Sequence, residues 1–167
     1  LPEETIKLYK KFEDKYKNTH LIIITKDTQV FGNLVLKASV SNYTVLSLEH
    51  REVPSYLRLC DFGFVLRGPS YVNQVSSPTK VLEYMSQGVV PIMTEYVGDF
   101  SQLLHEHQLG IIVPFKGITQ KSDIGFVDIS NFSKKRSVLA QFVLEYNEKY
   151  MSNYTKAIKN EVRFYHL

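Results

Sequence analysis

The sequence predicts an α/β fold: a parallel sheet with helices on both faces, three layers in all. Three observations carry this. Short, continuously apolar runs recur at residues 21–25, 62–66, 89–94 and 109–113, the composition of strands buried on both faces. Segments with the apolar period of a helix lie between them, and strands alternating with helices fold as parallel α/β units. The 167 residues are 44% hydrophobic and 22% charged, ordinary usage for a domain with a core of its own.

Residues 2–18 fit an amphipathic helix with Ile6, Tyr9, Phe12 and Tyr16 along one face. The run 21–25 is the first strand, ended by Lys26-Asp27, and residues 28–40 fit a second helix. Residues 45–48 make the next strand. His50-Arg51-Glu52 and a short helix over 54–60 follow, with Val53, Leu57 and Cys60 inward. The strand at 62–66 is broken by Arg67-Gly68-Pro69, and residues 68–76 read as a loop. A helix then opens with Ser77 as N-cap and Pro78 in the first helical position, where a missing N–H costs nothing. Gly88 stops it. Beyond the strand at 89–94, Gly98-Asp99 precedes a helix to about His107, and 109–113 is the last clear strand. Residues 114–131 are Gly-rich and polar, with a short strand possible at 126–129. Val138, Leu139, Phe142, Val143, Tyr146 and Tyr150 mark a long final helix that runs past Asn153. No repeat or interdomain linker interrupts the chain, so residues 1–167 are read as one domain.

Composition excludes several classes. The formal net charge of +3 is scattered, which suits a small anion and does not call for nucleic acid. No apolar run approaches the ~18 residues of a transmembrane helix, and no signal-peptide pattern is present. The single cysteine, Cys60, reads as a small buried hydrophobe, and no zinc spacing occurs. N-x-S/T matches at Asn42, Asn131 and Asn153 are read as chance, because nothing else suggests secretion. A chain that begins at Leu1 is expected to be a piece of something longer.

Chemistry concentrates in the stretch from Ser76 to Gly88. A helix N-terminus offers free N–H groups, and here it comes with the hydroxyls of Ser76, Ser77 and Thr79 and the cation of Lys80. That combination favours phosphate. Glu83 lies one turn beyond Thr79 on the same face. Phosphate first and hydroxyls next is the layout of a nucleotide diphosphate and its ribose. An ordinary capped helix, with Glu83 paired to Lys80, accounts for the same residues. In parallel sheets, however, ligands bind beyond the carboxyl ends of the strands. Lys26-Asp27, His50-Arg51, Arg67 to Lys80, and Val97-Gly98-Asp99 are all expected at that edge. His20, His105, His107 and His166 have no partner pattern.

Three blocks carry a resemblance: Glu52-Val53-Pro54-Ser55-Tyr56-Leu57, Cys60-Asp61-Phe62-Gly63-Phe64, and Ser77-Pro78-Thr79-Lys80-Val81-Leu82-Glu83-Tyr84-Met85-Ser86-Gln87-Gly88-Val89-Val90-Pro91-Ile92. Together with Gly98 and the 109–113 run, they resemble the C-terminal half of retaining glycosyltransferases of the GT-B fold, the large glycosyltransferase family 4 group. The similarity covers roughly residues 2–115. In that family this half binds the sugar nucleotide, and a separate N-terminal half binds the acceptor.

The resemblance implies that Glu83 accepts hydrogen bonds from the ribose, and that Ser77, Pro78, Thr79 and Lys80 face the diphosphate. Arg67 would touch phosphate or sugar. Residues 49–52, including His50 and Arg51, would lie by the base, and Gly98 and Asp99 near the donor sugar or phosphates. Tyr71 and Asn73 are further candidates for donor contact. No metal and no cofactor is implied, the donor itself being a nucleotide diphosphate sugar, and no residue is singled out as catalytic. The parent enzyme would be cytoplasmic, at the inner face of the membrane, and would serve bacterial surface polysaccharide synthesis.

Two departures stand out. Val75 occupies a position where the family often has Glu. The family's half also begins with a strand and a basic loop ahead of the first helix. Without that strand, which is central in a 3-2-1-4-5-6 sheet, and without the acceptor half, the chain should bind donor weakly and turn over nothing. A non-catalytic nucleotide- or partner-binding domain on the same fold is the alternative. A sugar-nucleotide epimerase is a further one that the S-P-x-K block argues against. A flavodoxin-like regulatory domain would want an acidic cluster at the strand ends.

Overall fold

A computed structural model describes residues 1–76, 78–119 and 135–162. Its elements run α1 (Pro2–Lys15), β1 (Leu21–Ile24), α2 (Thr28–Lys37), β2 (Tyr43–Leu46), a 3-10 turn at His50–Glu52, α3 (Val53–Leu57) and β3 (Phe62–Val65). They continue with α4 (Tyr71–Val75), α5 (Thr79–Ser86), β4 (Val90–Thr94), α6 (Gly98–Glu106), β5 (Ile111–Val113), α7 (Phe115–Thr119) and α8 (Arg136–Val162). Every strand pairing is parallel, so the α/β class read from the sequence is the class observed: a Rossmann-like arrangement.

Among the described residues the strands form two sheets: β1 pairs only with β2, and β3–β4–β5 form the second. β4 sits between two neighbours and all five of its residues are buried. The larger core cluster gathers around it, with Met85, Ile92, Met93, Leu104 and Leu139 essentially inaccessible. A smaller cluster of Ile6, Tyr9, Leu21, Val35 and Val40 lies under the β1–β2 pair. α1 bridges the two. Its Ile6 and Tyr9 enter the small cluster, while Leu8 enters the large one and Phe12 packs against it. Leu8 was outside the face read from the sequence, because a helix spanning two clusters buries a wider stripe than one seam requires.

Several boundaries moved for identifiable reasons. α1 ends three residues early: Tyr16 is extended, and Asn18 takes a left-handed φ of 64°, a conformation Asn tolerates. α2 stops at Lys37 instead of running to residue 40. Ser39 is left-handed (φ 55°), Ser39 N–H donates to Leu36 O and Val40 N–H to Val35 O. This paired closure satisfies the last carbonyls of a helix. α5 and α6 end in the same way, with Gly88 and Gln108 at the left-handed position.

β2 begins at Tyr43, two residues before the expected strand. Leu21 N–H donates to Asn42 O and Thr25 N–H to Leu46 O, so the reach of β1 fixes where β2 pairs. The stretch read as a loop at 68–76 contains the five-residue helix α4. α5 opens at Thr79 with Pro78 at its N-cap, one residue later than expected, so Pro78 is not the first helical residue. Ser77, the short strand at 126–129, Asn131 and His166 lie outside the described residues. Cys60 is half-buried, its thiol donates to Tyr56 O at 3.4 Å, and burial pushes it up from the usual thiol range.

Glu13 fastens α1 to the loop before β2. Its carboxylate accepts from Ser41 N–H, Asn42 N–H and Lys10 Nζ, each at 2.9 Å, and the side chain is only 8% exposed. Burial pushes this carboxyl up, but the Lys10 ammonium and the Asn42 and Ser41 amides outweigh it and hold it below the usual range. Glu13→Ala should cost about 0.5–1.5 kcal/mol by loss of its hydrogen bonds to two exposed backbone donors, as read by urea unfolding at neutral pH. A carboxyl whose folded pKa is depressed stabilises the fold above its unfolded pKa. That stability is lost as pH falls through the folded value, so the gap between wild type and Glu13→Ala should close below about pH 4.

Candidate functional site

The site is built where β3 and β4 end. Thr94, the last residue of β4, is fully buried. Its hydroxyl donates to Arg67 O at 2.7 Å and accepts from Arg67 N–H at 2.9 Å. One side chain therefore satisfies both backbone groups of Arg67 just beyond β3. The Arg67 guanidinium reaches Ser76, donating to its carbonyl at 3.5 Å and to its hydroxyl. Within the loop so closed, Asn73 Nδ2 donates to Gly68 O at 2.9 Å and Ser70 caps α4 by accepting from Asn73 N–H at 3.2 Å.

α6 closes the other side. Ser101 is buried; its hydroxyl donates to Thr94 O at 3.2 Å and accepts from Val97 N–H at 3.0 Å. This fixes the turn that brings Gly98 in with φ 51°. A β-carbon on Gly98 would lie 2.5 Å from Ser76 O. Arg67, Ser76, Thr94 and Gly98, spread over 32 positions of sequence, thus meet at the carboxyl edge of the sheet. The chain leaves this knot toward Pro78 and enters α5.

At the start of α5 Thr79 and Lys80 are exposed, and so is Glu83 one turn on. The first amides of a helix have no acceptor within it. Among the described residues neither Lys80 nor Glu83 has a side-chain partner. The pairing of the two that the plain capped-helix reading invoked is not formed. Asp99 is exposed in the first turn of α6.

The structure brings Arg67, Ser76 and Gly98 into contact, with Pro78, Thr79, Lys80 and Glu83 following directly. His50 and Arg51 sit elsewhere along the edge, exposed in the turn after β2. Glu49 and Glu52 brace that turn: each carboxylate accepts from the other residue's end of a capping box. Lys26 ties it to the end of β1, 3.7 Å from the Glu49 carboxylate and 3.4 Å from Leu48 O. Among the described residues no hydrogen bond or ion pair joins this group to the Arg67 knot. Tyr71 is exposed on α4, whereas the Asn73 amide is used inside the loop.

Thr94 and Ser101 were given no role in the sequence reading. The one available signal was a hydroxyl at the end of an otherwise apolar strand, which must find a partner when buried. Among the described residues no three His, Cys, Asp or Glu side chains gather closely enough to hold a metal ion, and no helix is long and apolar enough to cross a membrane.

Fold and edge together define a Rossmann-like α/β domain whose polar groups gather beyond the strand ends, the position where such sheets take ligands. No protein-family profile and no curated protein matches the chain.

Proposed function

We propose that this chain is the donor-binding domain of a retaining glycosyltransferase, holding a nucleotide diphosphate sugar at the carboxyl edge of β3 and β4. The observation that carries the reading is the succession of the Arg67 cation fixed at the strand edge, the exposed start of α5 with Lys80, and Glu83 one turn further, with no side-chain partner among the described residues. Cations and amides favour the diphosphate, and an acceptor-only carboxylate suits ribose hydroxyls. During transfer the departing diphosphate gains charge, and groups aimed at it lower the barrier. Acceptor binding falls to a separate domain of the parent enzyme, located at the inner membrane face.

The test is a thermal-shift panel with UDP, GDP, ADP, TDP and CMP and their sugar conjugates. A ligand at ~100 times its Kd adds about 2.7 kcal/mol, a rise of roughly 5–10 °C for a chain of this size. One nucleoside diphosphate should shift the transition. Glu83→Ala should weaken its binding about tenfold, by loss of hydrogen bonds to a charged acceptor, and leave the ligand-free transition within about 1 °C, as expected for an exposed helix residue. Unchanged affinity in the variant removes the ribose assignment.

A second reading, a nucleotide- or partner-binding domain without catalysis, draws on Val75. It is 62% exposed and apolar where the resembling family often carries Glu. Sugar transfer by the full-length protein separates the two.

A further inference from the structure

We infer that Thr94 is a positioning residue for the anion site: its buried hydroxyl turns Arg67 out of the sheet and so sets the Arg67 guanidinium against the phosphates of the ligand. The ligand is the one given by the donor-binding reading, on which this role rests; the device itself lies in the ends of β3 and β4.

In a parallel ladder the backbone bonds of two strands are evenly spaced and alternate in direction. β3 and β4 pair Phe62 with Val90 and Phe64 with Ile92, and Val90 N–H donates to Asp61 O at 2.9 Å. Continued to the strand ends, that register calls for Arg67 N–H to donate to Thr94 O. It donates instead to the Thr94 hydroxyl at 2.9 Å, and the hydroxyl donates back to Arg67 O at 2.7 Å. Thr94 O is taken by the hydroxyl of Ser101 on α6, at 3.2 Å. A side chain thus replaces the last main-chain rung. β3 stops at Val65, and Arg67 is held from β4 by both of its backbone groups without following the pleat.

Burial alone does not call for this hydroxyl. β4 is otherwise Val-Pro-Ile-Met and buried throughout, and Val has nearly the shape of Thr. With Val at this position the ordinary rung to the carbonyl could form and satisfy the Arg67 amide. What Val could not do is hold Arg67 away from the ladder.

The diversion decides where the guanidinium lies. Arg67 is half-buried, and its Nη1 donates to the Ser76 carbonyl at 3.5 Å and to the Ser76 hydroxyl. Among the described residues no carboxylate pairs with Arg67, and Nε and Nη2 have no acceptor. The unused part of this planar fork suits two oxygens of a phosphate. From Ser76 the chain passes to Pro78 and α5, so the cation stands beside the approach to the helix that carries Lys80.

A double-mutant cycle on affinity tests this. Wild type, Thr94→Val, Thr94→Ser, Arg67→Ala and the Thr94→Val/Arg67→Ala double variant are titrated calorimetrically with UDP, GDP, ADP, TDP and inorganic pyrophosphate, below the melting range of each protein. For whichever of these binds, Thr94→Val should weaken binding about tenfold, the scale of one lost hydrogen bond to a charged group, and Thr94→Ser, which keeps the hydroxyl, by less than about threefold. With Arg67→Ala in place, the Thr94→Val change should cost less than about twofold. An equal loss in both backgrounds means that Thr94 serves the fold alone and overturns the inference.

NMR of the Arg67 guanidinium reads the positioning without a ligand. Rotation about Nε–Cζ should be slow in wild type and Thr94→Ser, and fast in Thr94→Val, or in Thr94→Ala should the Val variant not fold. Fast rotation in the wild type overturns the inference whatever the variants do. Slow rotation that needs the hydroxyl, with none of the probes bound, takes away the donor-binding reading and with it the phosphates that Arg67 would meet. Binding that needs Arg67 but not the Thr94 hydroxyl leaves that reading standing and overturns the positioning role.

Discussion

Gly98→Ala should lower the melting temperature by roughly 5–15 °C, the equivalent of about 2–4 kcal/mol. Two costs combine. Gly98 has φ 51°, where any β-carbon is strained. The added carbon would also fall 2.5 Å from the Ser76 carbonyl oxygen and 3.1 Å from its carbon. These are backbone atoms and cannot swing aside as a side chain can. Relief requires moving Ser76 or the first turn of α6. Ser76 is held by the Arg67 guanidinium, and the turn by Ser101. The strain therefore spreads into the segment that delivers Pro78, Thr79 and Lys80. Under the proposed function, affinity for a nucleoside diphosphate should fall at least about tenfold, more than stability alone explains for the folded fraction. Asp99→Ala, at the exposed neighbouring position, should stay within about 0.5 kcal/mol of wild type. An unchanged melting temperature for Gly98→Ala would mean the close approach is absent.

The parts of this fold that were legible are those fixed by local demands. A strand covered on both faces has to be apolar throughout, so β1, β3, β4 and β5 stand out as runs. A helix over a sheet needs a periodic stripe, so α1, α2, α5, α6 and the start of α8 were visible. What escaped was decided at a distance or on too few residues. Ser39 and Gln108 close helices at positions where a sequence argument looks for Gly. α4 is five residues long and shows no period. The start of β2 is set by where β1 can pair. The break between β1 and β3 is a matter of which strands meet, and no window of sequence records it.

The site divides along the same line. Lys80 and Glu83 were readable because one helix carries both and the spacing alone puts Glu83 beside Thr79. Arg67 was readable as a cation at a strand end. Its fixing by Thr94 was not, because the two are 27 residues apart and meet only once β3 and β4 pair. The expectation that His50 and Arg51 join the same cluster came from topology, which places loops at an edge without saying how far apart along it they lie.

The largest loss of stability is expected from Leu104→Ala, and its size should depend on Gly110. Leu104 is fully buried in the main cluster on α6, a position where truncation to Ala costs about 3–5 kcal/mol. That is a large share of the 5–15 kcal/mol typical of a domain. A β-carbon on Gly110 would lie 3.1 Å from Leu104 Cδ1 and 3.2 Å from Pro91 O. Gly110→Ala alone should therefore cost about 1–3 kcal/mol by overpacking. In the double variant the methyl of Ala at 110 enters part of the space that Leu104 vacates, while its contact with Pro91 O remains. The combined loss should fall short of the sum by at least about 0.5 kcal/mol, beyond what independent sites show. Denaturant unfolding of the four proteins measures this directly. Strict additivity would mean that Leu104 does not pack on Gly110 and that the turn from α6 into β5 is held some other way. A shortfall would show that the end of α6 and the entry to β5 share one packed contact, so the absence of a side chain at 110 is what lets Leu104 reach full burial.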